Sequence, residues 1–600
     1  MALTPVVICL SRAGEATAHK VAKSLGAQVH GRESRVDVAD AYFPNALDYV
    51  RTLFASGTPV IGVCAAGILI RAVAPLLADK TTEPPVVAVS DDGAVVVPLL
   101  GGHRGANRLA KQISETLGSV AAVTTAGDIA LGFALDEPPV GYRLANPKDA
   151  KAVMAAMLNG ADARVTGEAL FDIPSVEAGK VEICVTEASE TGTSERLVYH
   201  PQRFALGLGC ARNADPQDMW ALVEKSLADA GIAQGAIASV NSIDLKADEP
   251  AIIAVAKRLN VPFRVFDAAA LEAEVPHLKN PSDVVFAEVG CHGVSEAAAL
   301  AAADATADLV VEKQKTATCT CAIARQSEPI KGQKGRSRGK LSIIGIGPGQ
   351  HSWRTPEASQ LIAEAQELVG YGLYIDLLGP LASGKIRSDF PLGGEEDRCR
   401  YALEQAGKGN NVALICSGDA GIYAMGALVF ELLDRGPDAH GVTDAAHRVE
   451  VISTPGVSAL QGAAARAGAP LGHDFCAISL SDLLTPREDI VKRLKAAAEG
   501  DFVIAFYNPV SKRRRTLLAE ARDILLQYRP ADTPVMLASS LGRPEENIRY
   551  RNLSDLEVDE VDMLTVVLIG SSHSRLAQLG EGPRMFTPRG YARKIDGDLS

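Results

Sequence analysis

The stretch LSIIGIGPG, residues 341–349, constrains the fold more than any other. Residues 341–344 read as the end of a buried strand. The chain then passes into Gly345, Gly347, Pro348 and Gly349, a tight turn that lets a ligand touch backbone. A helix is expected next. Thr355 can cap it, Pro356 suits its first turn, and Ala358, Leu361, Ile362, Ala365, Leu368 and Val369 repeat on one face. Strand, glycine turn and helix form a nucleotide-type layout. The glycine spacing differs from GxGxxG, because Pro348 interrupts it and Gln350 holds the third-glycine position. One such turn says little, but the arrangement recurs. Strands expected over 411–415, 449–453, 501–505, 534–537 and 565–569 run into CSGDAGIYAMG, TPGVSA, FYNPVSKRR, ASSLGRPEE and GSSHS. In an open α/β sheet, strand ends of this kind line one crevice where ligands sit.

The rest of the chain alternates in the same way. Residues 3–10, 59–64, 86–89 and 94–99 read as strands, with Asp91-Asp92-Gly93 as a hairpin turn. Helices are expected over 16–25 and from Gly67. A glycine loop at 99–110, LLGGHRGANRLA, feeds another helix, and residues 120–125 form a strand ending in TTAGD. Phe204 starts a further α/β unit with the loops ALGLGCARN and GCHGVSEAAALAAA. The expected organisation is an α/β domain over 1–138, a central module over 139–202 and a second α/β domain over 203–325. A flexible basic linker follows over 326–340, then a C-terminal α/β region over 341–590.

Six hundred residues with 47% hydrophobic and 22% charged content can bury several cores. A net charge of −13 speaks against nucleic acid as a partner, and the charges of the 326–340 stretch read as a solvated tether. Ten scattered cysteines without a CxxC fit a reducing cytoplasm, with Cys319 and Cys321 as small core residues and no protein-bound metal. The apolar run at 5–10 is too short for a signal peptide and lacks a preceding positive charge. The longest apolar run, 59–77, is broken by Arg71 and Pro75, so no membrane span is expected.

The C-terminal loops indicate a ligand class. Asp419, after Ser417 and Gly418, can accept hydrogen bonds from a ribose or an amino group, and Gly418 lets the ligand reach backbone. Pro455-Gly456 with Ser458-Ala459 gives a second edge, and Tyr507-Asn508-Pro509 a third. These edges suit an adenine, a ribose and a zwitterionic tail. They do not suit a triphosphate, because GxxxxGK[ST] is missing from the sequence.

GIGPG, SGDAGIYAMG, TPGVSA, SLSDLLTP (479–486) and FYNPVSKRR together resemble the tetrapyrrole methyltransferases of cobalamin biosynthesis, and within them the precorrin-3B C17 (cobalt-factor III) enzymes. The resemblance implies a two-lobed α/β fold, usually dimeric. It also implies S-adenosylmethionine as donor and methylation at C17 with ring contraction. Carried over by motif, donor contacts are Gly347, Pro348, Ser417, Gly418, Asp419, Ile422, Ser458, Ala459, Tyr507 and Asn508. Methyl transfer from a sulfonium needs alignment rather than a nucleophilic side chain. Asp419, Tyr507, Asp482 and His473 are the candidates for the proton transfers of contraction. The substrate is a polycarboxylate, which Arg513 and Arg514, with Lys512, Arg515 and Arg543, would hold. Its cobalt, where present, is carried by the macrocycle. Methylation at C11 or C20 is the alternative for the same fold.

GILIRAVAPLLADK (67–80), GGHRGANRLA, TTAGD, ALGLGCARN, SIDLKADE and GVSEAAAL resemble the cobalt-precorrin-5A hydrolase family, which opens a lactone and releases acetaldehyde. The loop reads GHRGAN where the family pattern is Gly-His-x-Gly-Gly-Ala-Asn, one glycine longer. The resemblance implies His103 as acid or base, and Arg71, Lys80, Arg104 and Arg108 as carboxylate anchors. The alternative is a non-catalytic tetrapyrrole-binding or channelling module. The whole chain thus reads as a multidomain α/β fusion of corrin-ring synthesis. Hydrolase-like α/β domains precede the methyltransferase, and contact with other enzymes of the pathway is expected.

Overall fold

The computed structural model describes residues 3–77, 82–124, 133–511 and 515–595. The chain divides into two compact units. One contains Met1–Leu341, Tyr401–Val412 and Arg435–Val451, and the other Ser342–Arg400, Ala413–Asp434 and Ile452–Ser600. The architecture is multidomain mixed α/β.

The first unit begins with a seven-stranded sheet. Its order is Ala41–Phe43, Gln28–Arg32, Val6–Cys9, Val60–Val63, Val86–Val89, Val95–Leu100, Val120–Ala121. Alternation along the first strand sets its two faces. Val7 and Cys9 pack with Ala18, Val21 and Ile113, whereas Ile8 packs with Tyr49, Leu53 and Leu69. Helices therefore cover both sides. Glu15–Leu25 ends at Gly26 in the left-handed region, and Asn45 caps Ala46–Ala55 by accepting from the backbone of Leu47 and Asp48.

Next comes a four-stranded sheet of Tyr142–Leu144, Arg196–Pro201, Val181–Val185 and Ala163–Thr166, with helix Ala150–Leu158 packed on it. The unit's third sheet has six strands. Phe204–Cys210 runs parallel to Ile237–Ile243 and antiparallel to Cys319–Arg325. Cys319 and Cys321 both lie in its core, and burial pushes the Cys321 thiol up to about 12.

The basic stretch expected as a flexible tether contributes a sixth strand to this sheet. Arg336–Ser337 pairs antiparallel with Phe263–Phe266, Arg336 reaches Asp244 at 3.2 Å, and Arg338 Nε donates to the Arg448 carbonyl at 2.9 Å. Edge pairing uses backbone groups, so a polar sequence without an apolar period gives no sign of it.

Two five-stranded sheets and one three-stranded sheet make up the methyltransferase-like region. The first has the order Ile386–Phe390, Glu367–Tyr371, Asn411–Cys416, Lys340–Gly345, Glu450–Thr454. The second has the order Phe475–Ser479, Val503–Tyr507, Thr565–Ile569, Pro534–Ser539, Asn547–Asn552. Two expectations change here. The helix after the glycine turn is Pro356–Glu364, capped by Thr355 as expected, but Leu368 and Val369 belong to the buried strand Glu367–Tyr371. A short apolar run continued the helical period by coincidence. In addition, Thr565–Ile569 runs antiparallel to both Val503–Tyr507 and Pro534–Ser539. Its GSSHS end therefore lies at the opposite edge of the sheet from the other loops.

Candidate functional site

The opening glycine loop meets the SGD loop backbone to backbone. Gly347 N donates to the Gly418 carbonyl at 3.1 Å, and Gly418 N donates back to Gly347 at 2.9 Å. Both glycines have positive φ, 76° and 69°, a conformation that a side chain strains. The third loop closes on this pair. A Cβ on Gly456 would lie 2.2 Å from the Gly418 carbonyl oxygen and 2.9 Å from that of Gly345, so only glycine fits. A Cβ on Gly418 would lie 3.7 Å from Ala459 N and 3.8 Å from Ser458 Cα, in ordinary van der Waals contact. Three loops from three strand ends thus form a cradle of backbone.

Most polar side chains at the cradle are already engaged in holding it. Asp419 accepts from Gly421 N at 2.8 Å and from Gly456 N at 3.0 Å, tying the second loop to the third. Each oxygen keeps a lone pair. Ser458 caps helix Ala459–Ala467 in a capping box with Gln461. Tyr507 accepts from Leu460 N at 2.9 Å, and burial pushes its hydroxyl pKa up. Asn508, at φ 48°, donates to Ser479 Oγ at 3.1 Å. Pro348 is buried, faces Gly462, and its carbonyl accepts from Arg543 Nε at 3.2 Å. Ser417 is half-buried, and Ile422 stands at the rim, 38% exposed.

Sequence reasoning missed two parts of the site. Tyr423 has φ 50°, donates to the Ala477 carbonyl at 2.8 Å, and stacks obliquely on Tyr507 at 5.2 Å between ring centroids. A bulky residue at positive φ after a Gly-Ile step has no signal in composition. The other is the brace behind the first loop. Arg466 lies 4.7 Å from the Trp353 ring, pairs with Glu546 at 2.7 Å and donates to Gln350 at 3.3 Å.

Other candidates lie elsewhere. His473 is on a loop and accepts from the next backbone N–H, and Asp482 is 3.8 Å from Arg487. Arg71 donates to the Gly67 carbonyl at 3.1 Å and Arg104 to that of Thr82 at 2.9 Å. Lys80, Arg513, Arg514 and the side chain of His103 lie outside the described residues. A cavity of about 680 Å³ in the first unit is lined by Glu168, Glu187, Arg203 and Arg325 among others. Those charges pair with one another, Arg325 with Glu187 at 2.8 Å and Arg203 with Glu187 at 3.1 Å. Among the described residues, no group of three or more His, Cys, Asp or Glu is arranged to hold a metal, and no helix is long and apolar enough to cross a membrane.

Residues 340–557 match the family model of tetrapyrrole (corrin/porphyrin) methylases. Residues 48–128 match that of the cobalamin synthesis G N-terminal region, and 204–324 that of the cobalamin synthesis G C-terminus. A precorrin-3B C(17)-methyltransferase from Sinorhizobium sp is 44% identical over 255 residues, 42% of this chain and 98% of that protein. A probable cobalt-factor III C(17)-methyltransferase from Salmonella typhimurium is 44% identical over 251 residues, 42% of this chain and 99% of that protein. The crystal structure of the methyltransferase CobJ aligns with 39% identity over 42% of this chain and all of that one, at a TM-score of 0.39. The chain belongs to the tetrapyrrole (corrin/porphyrin) methylases, as a fusion whose N-terminal half matches the cobalamin synthesis G models.

Proposed function

We infer that the region over 341–590 methylates C17 of precorrin-3B, or of its cobalt-bearing counterpart cobalt-factor III. The same step contracts the ring to precorrin-4 or cobalt-precorrin-4 during cobalamin biosynthesis. The observation that carries this reading is the 44% identity across 98% of a C17-methyltransferase, in a segment whose glycine loops cross backbone to backbone. S-adenosylmethionine, when bound, supplies an electrophilic methyl group on a sulfonium. The residues present fit such a donor: a cradle that a Cβ would fill, a carboxylate with spare lone pairs, and an aromatic wall.

Gly347, Gly418 and Ala459 present backbone to the donor, with Ser417 and Ile422 at the rim. Asp419 and Ser458 act as positioning residues, because each holds a loop or a helix start in place. Tyr507 fixes the third loop through Leu460. Alignment and water exclusion supply most of the rate. Arg543, anchored on the Pro348 carbonyl, brings positive charge to the first loop for a polycarboxylate macrocycle. The active form is a cytoplasmic homodimer in contact with other enzymes of the pathway.

Residues 1–325 carry a second inferred activity, opening of the cobalt-precorrin-5A lactone. The two cobalamin synthesis G matches support it.

Turnover with S-adenosylmethionine and each macrocycle, with and without cobalt, tests the first reading. NMR of the product should place the new methyl on C17, and a methyl on C11 or C20 overturns the assignment. For the second activity, the full chain incubated with cobalt-precorrin-5A should release acetaldehyde. Binding without release would make the N-terminal half a binding module.

A further inference from the structure

Helix Ala459–Ala467 joins two edges of the cradle. Ser458, its cap, fixes the third loop through the capping box with Gln461. One turn into the helix, Gly462 receives the first loop. A Cβ there would lie 3.1 Å from Trp353 Cζ3 and 3.5 Å from Pro348 Cγ, so the buried Pro348 seats close to helix backbone. Arg466 leaves the same face one turn later, because residues four apart on a helix are neighbours. The helix thus meets the first loop at two levels.

A second element holds the same loop. It is the turn that follows strand Pro534–Ser539. A Cβ on Gly349 would lie 2.6 Å from the Leu541 carbonyl oxygen, and one on Gly542 would lie 2.8 Å from Gln350 N. Arg543 Nε donates to the Pro348 carbonyl at 3.2 Å. The first loop is therefore gripped by a helix and by a turn that lie far apart in sequence.

One ion pair fastens the two grips to each other. Arg466 Nε donates to Glu546 Oε1 at 2.7 Å, and its Nη2 donates to Glu546 Oε2 at 3.4 Å and to Gln350 Oε1 at 3.3 Å. The guanidinium also lies 4.7 Å from the centre of the Trp353 ring. Glu546 Oε2 accepts in turn from Gly542 N at 2.6 Å. Burial pushes the Glu546 carboxyl up, but the bonds from Arg466 and Gly542 outweigh it and hold it below the usual carboxylate range. An isolated surface pair contributes little. This pair has forked geometry, and each member also bonds to the loop it holds.

We propose that Arg466 and Glu546 are a positioning pair for the methyl donor, which sets the separation between the first and third edges of the cradle. Those edges are backbone, and backbone cannot adjust by changing rotamer. Their spacing has to be held by groups outside the cradle, and Arg466 and Glu546 hold it through Gln350, Trp353 and Gly542. Methyl transfer depends on alignment, and a displacement of about 1 Å costs on the order of 10²-fold in rate. This inference rests on the reading of the cradle as the S-adenosylmethionine site.

The test uses the full chain, with S-adenosylmethionine binding read by calorimetry and turnover measured with precorrin-3B or cobalt-factor III, whichever the wild-type chain converts. Arg466→Met keeps the length and loses the bonds. It should raise the donor's Kd by roughly 10- to 30-fold and lower kcat, with KM for the macrocycle within about threefold of wild type. Glu546→Gln keeps an acceptor for Gly542 N and should raise the donor's Kd by about three- to tenfold. Arg466→Lys restores the charge without the fork and should return the Kd to within about fivefold of wild type. Binding stoichiometry should match wild type throughout, since a merely structural pair would lower the folded fraction and leave the Kd of the remainder unchanged. Glu546→Gln carries the test if Arg466→Met does not fold. A donor Kd within about twofold of wild type in the folded variants, or an equal rise in the macrocycle's KM, overturns the proposal. A wild-type chain that binds no S-adenosylmethionine overturns the donor reading of the cradle itself.

Discussion

The glycine cradle of the second unit and the Asp91 loop of the first both follow the carboxyl ends of sheet strands, yet they are made of different material. In the cradle, Gly347, Gly418 and Gly456 bring backbone against backbone, and Asp419, Ser458 and Tyr507 are each bonded to the loops they support. At Asp91, a buried carboxylate oxygen has no donor, and Gly14 packs against it so closely that a Cβ there would lie 2.9 Å away. Methyl transfer from a sulfonium asks a protein chiefly for position, so polar groups can be spent on rigidity.

The sharpest way to break this contrast is Gly456→Ala. The added methyl would collide with the Gly418 carbonyl at 2.2 Å, and backbone cannot swing aside. The expected cost is about 3 kcal/mol or more, seen as a loss of at least ~10²-fold in kcat/KM and weakened S-adenosylmethionine binding by calorimetry. Unchanged donor affinity would mean that the cradle does not touch the donor.

Acid should act on the first unit through His30, which is 1% exposed and hydrogen-bonded to the Tyr49 hydroxyl at 2.9 Å. Burial pushes His30 down to about 4, against the smaller opposing pull of Asp40. Between the unfolded value near 6.5 and about 4, the unfolded chain holds the extra proton. The contribution is therefore complete above pH ~6.5 and falls away as pH drops toward ~4, by up to about 3 kcal/mol. Calorimetric unfolding of the wild-type chain and His30→Gln between pH 7 and 4.5 reads this directly, and equal slopes would refute it.

Asp419→Asn keeps the shape but removes the charge that two backbone N–H groups bond to. We expect about 2 kcal/mol, or roughly 30-fold in donor affinity. Tyr507→Phe removes only the acceptor for Leu460 N and should cost about 1 kcal/mol, or ~5- to 10-fold in kcat/KM. If the two substitutions weaken methyl transfer equally, the division between a loop tie and a helix-start tie is wrong.

Local readings succeeded where one element carried its own signal. Thr355 caps its helix, Asp91 and Asp92 turn between paired strands, and the 411, 450 and 503 strands run into the loops read from them. They failed where partners decide. Leu368 and Val369 fit a helical face and a buried strand equally well, and the sheet chose the strand. Gln28–Arg32 and Ala41–Phe43 were invisible because His30, Gly31 and their neighbours break the apolar alternation, yet pairing with Val6–Cys9 makes them strands. Of the donor-site candidates, the motif loops came together as a group. The histidine and arginine candidates did not form a comparable cluster among the described residues.

For the opening LSIIGIGPG stretch and its successors, the sequence alone determined the strand-to-glycine-loop grammar, the α/β class and the family. Each depends on residue type at fixed spacing along the chain. Tertiary structure decided which of those loops face one another. Strand direction is a property of pairing, and it sent GSSHS to the far edge while bringing Gly347, Gly418 and Gly456 within contact. It also decided that Asp419 is a tie between loops while Asp91 keeps an oxygen free, because a carboxylate's role depends on which donors the fold brings within about 3 Å.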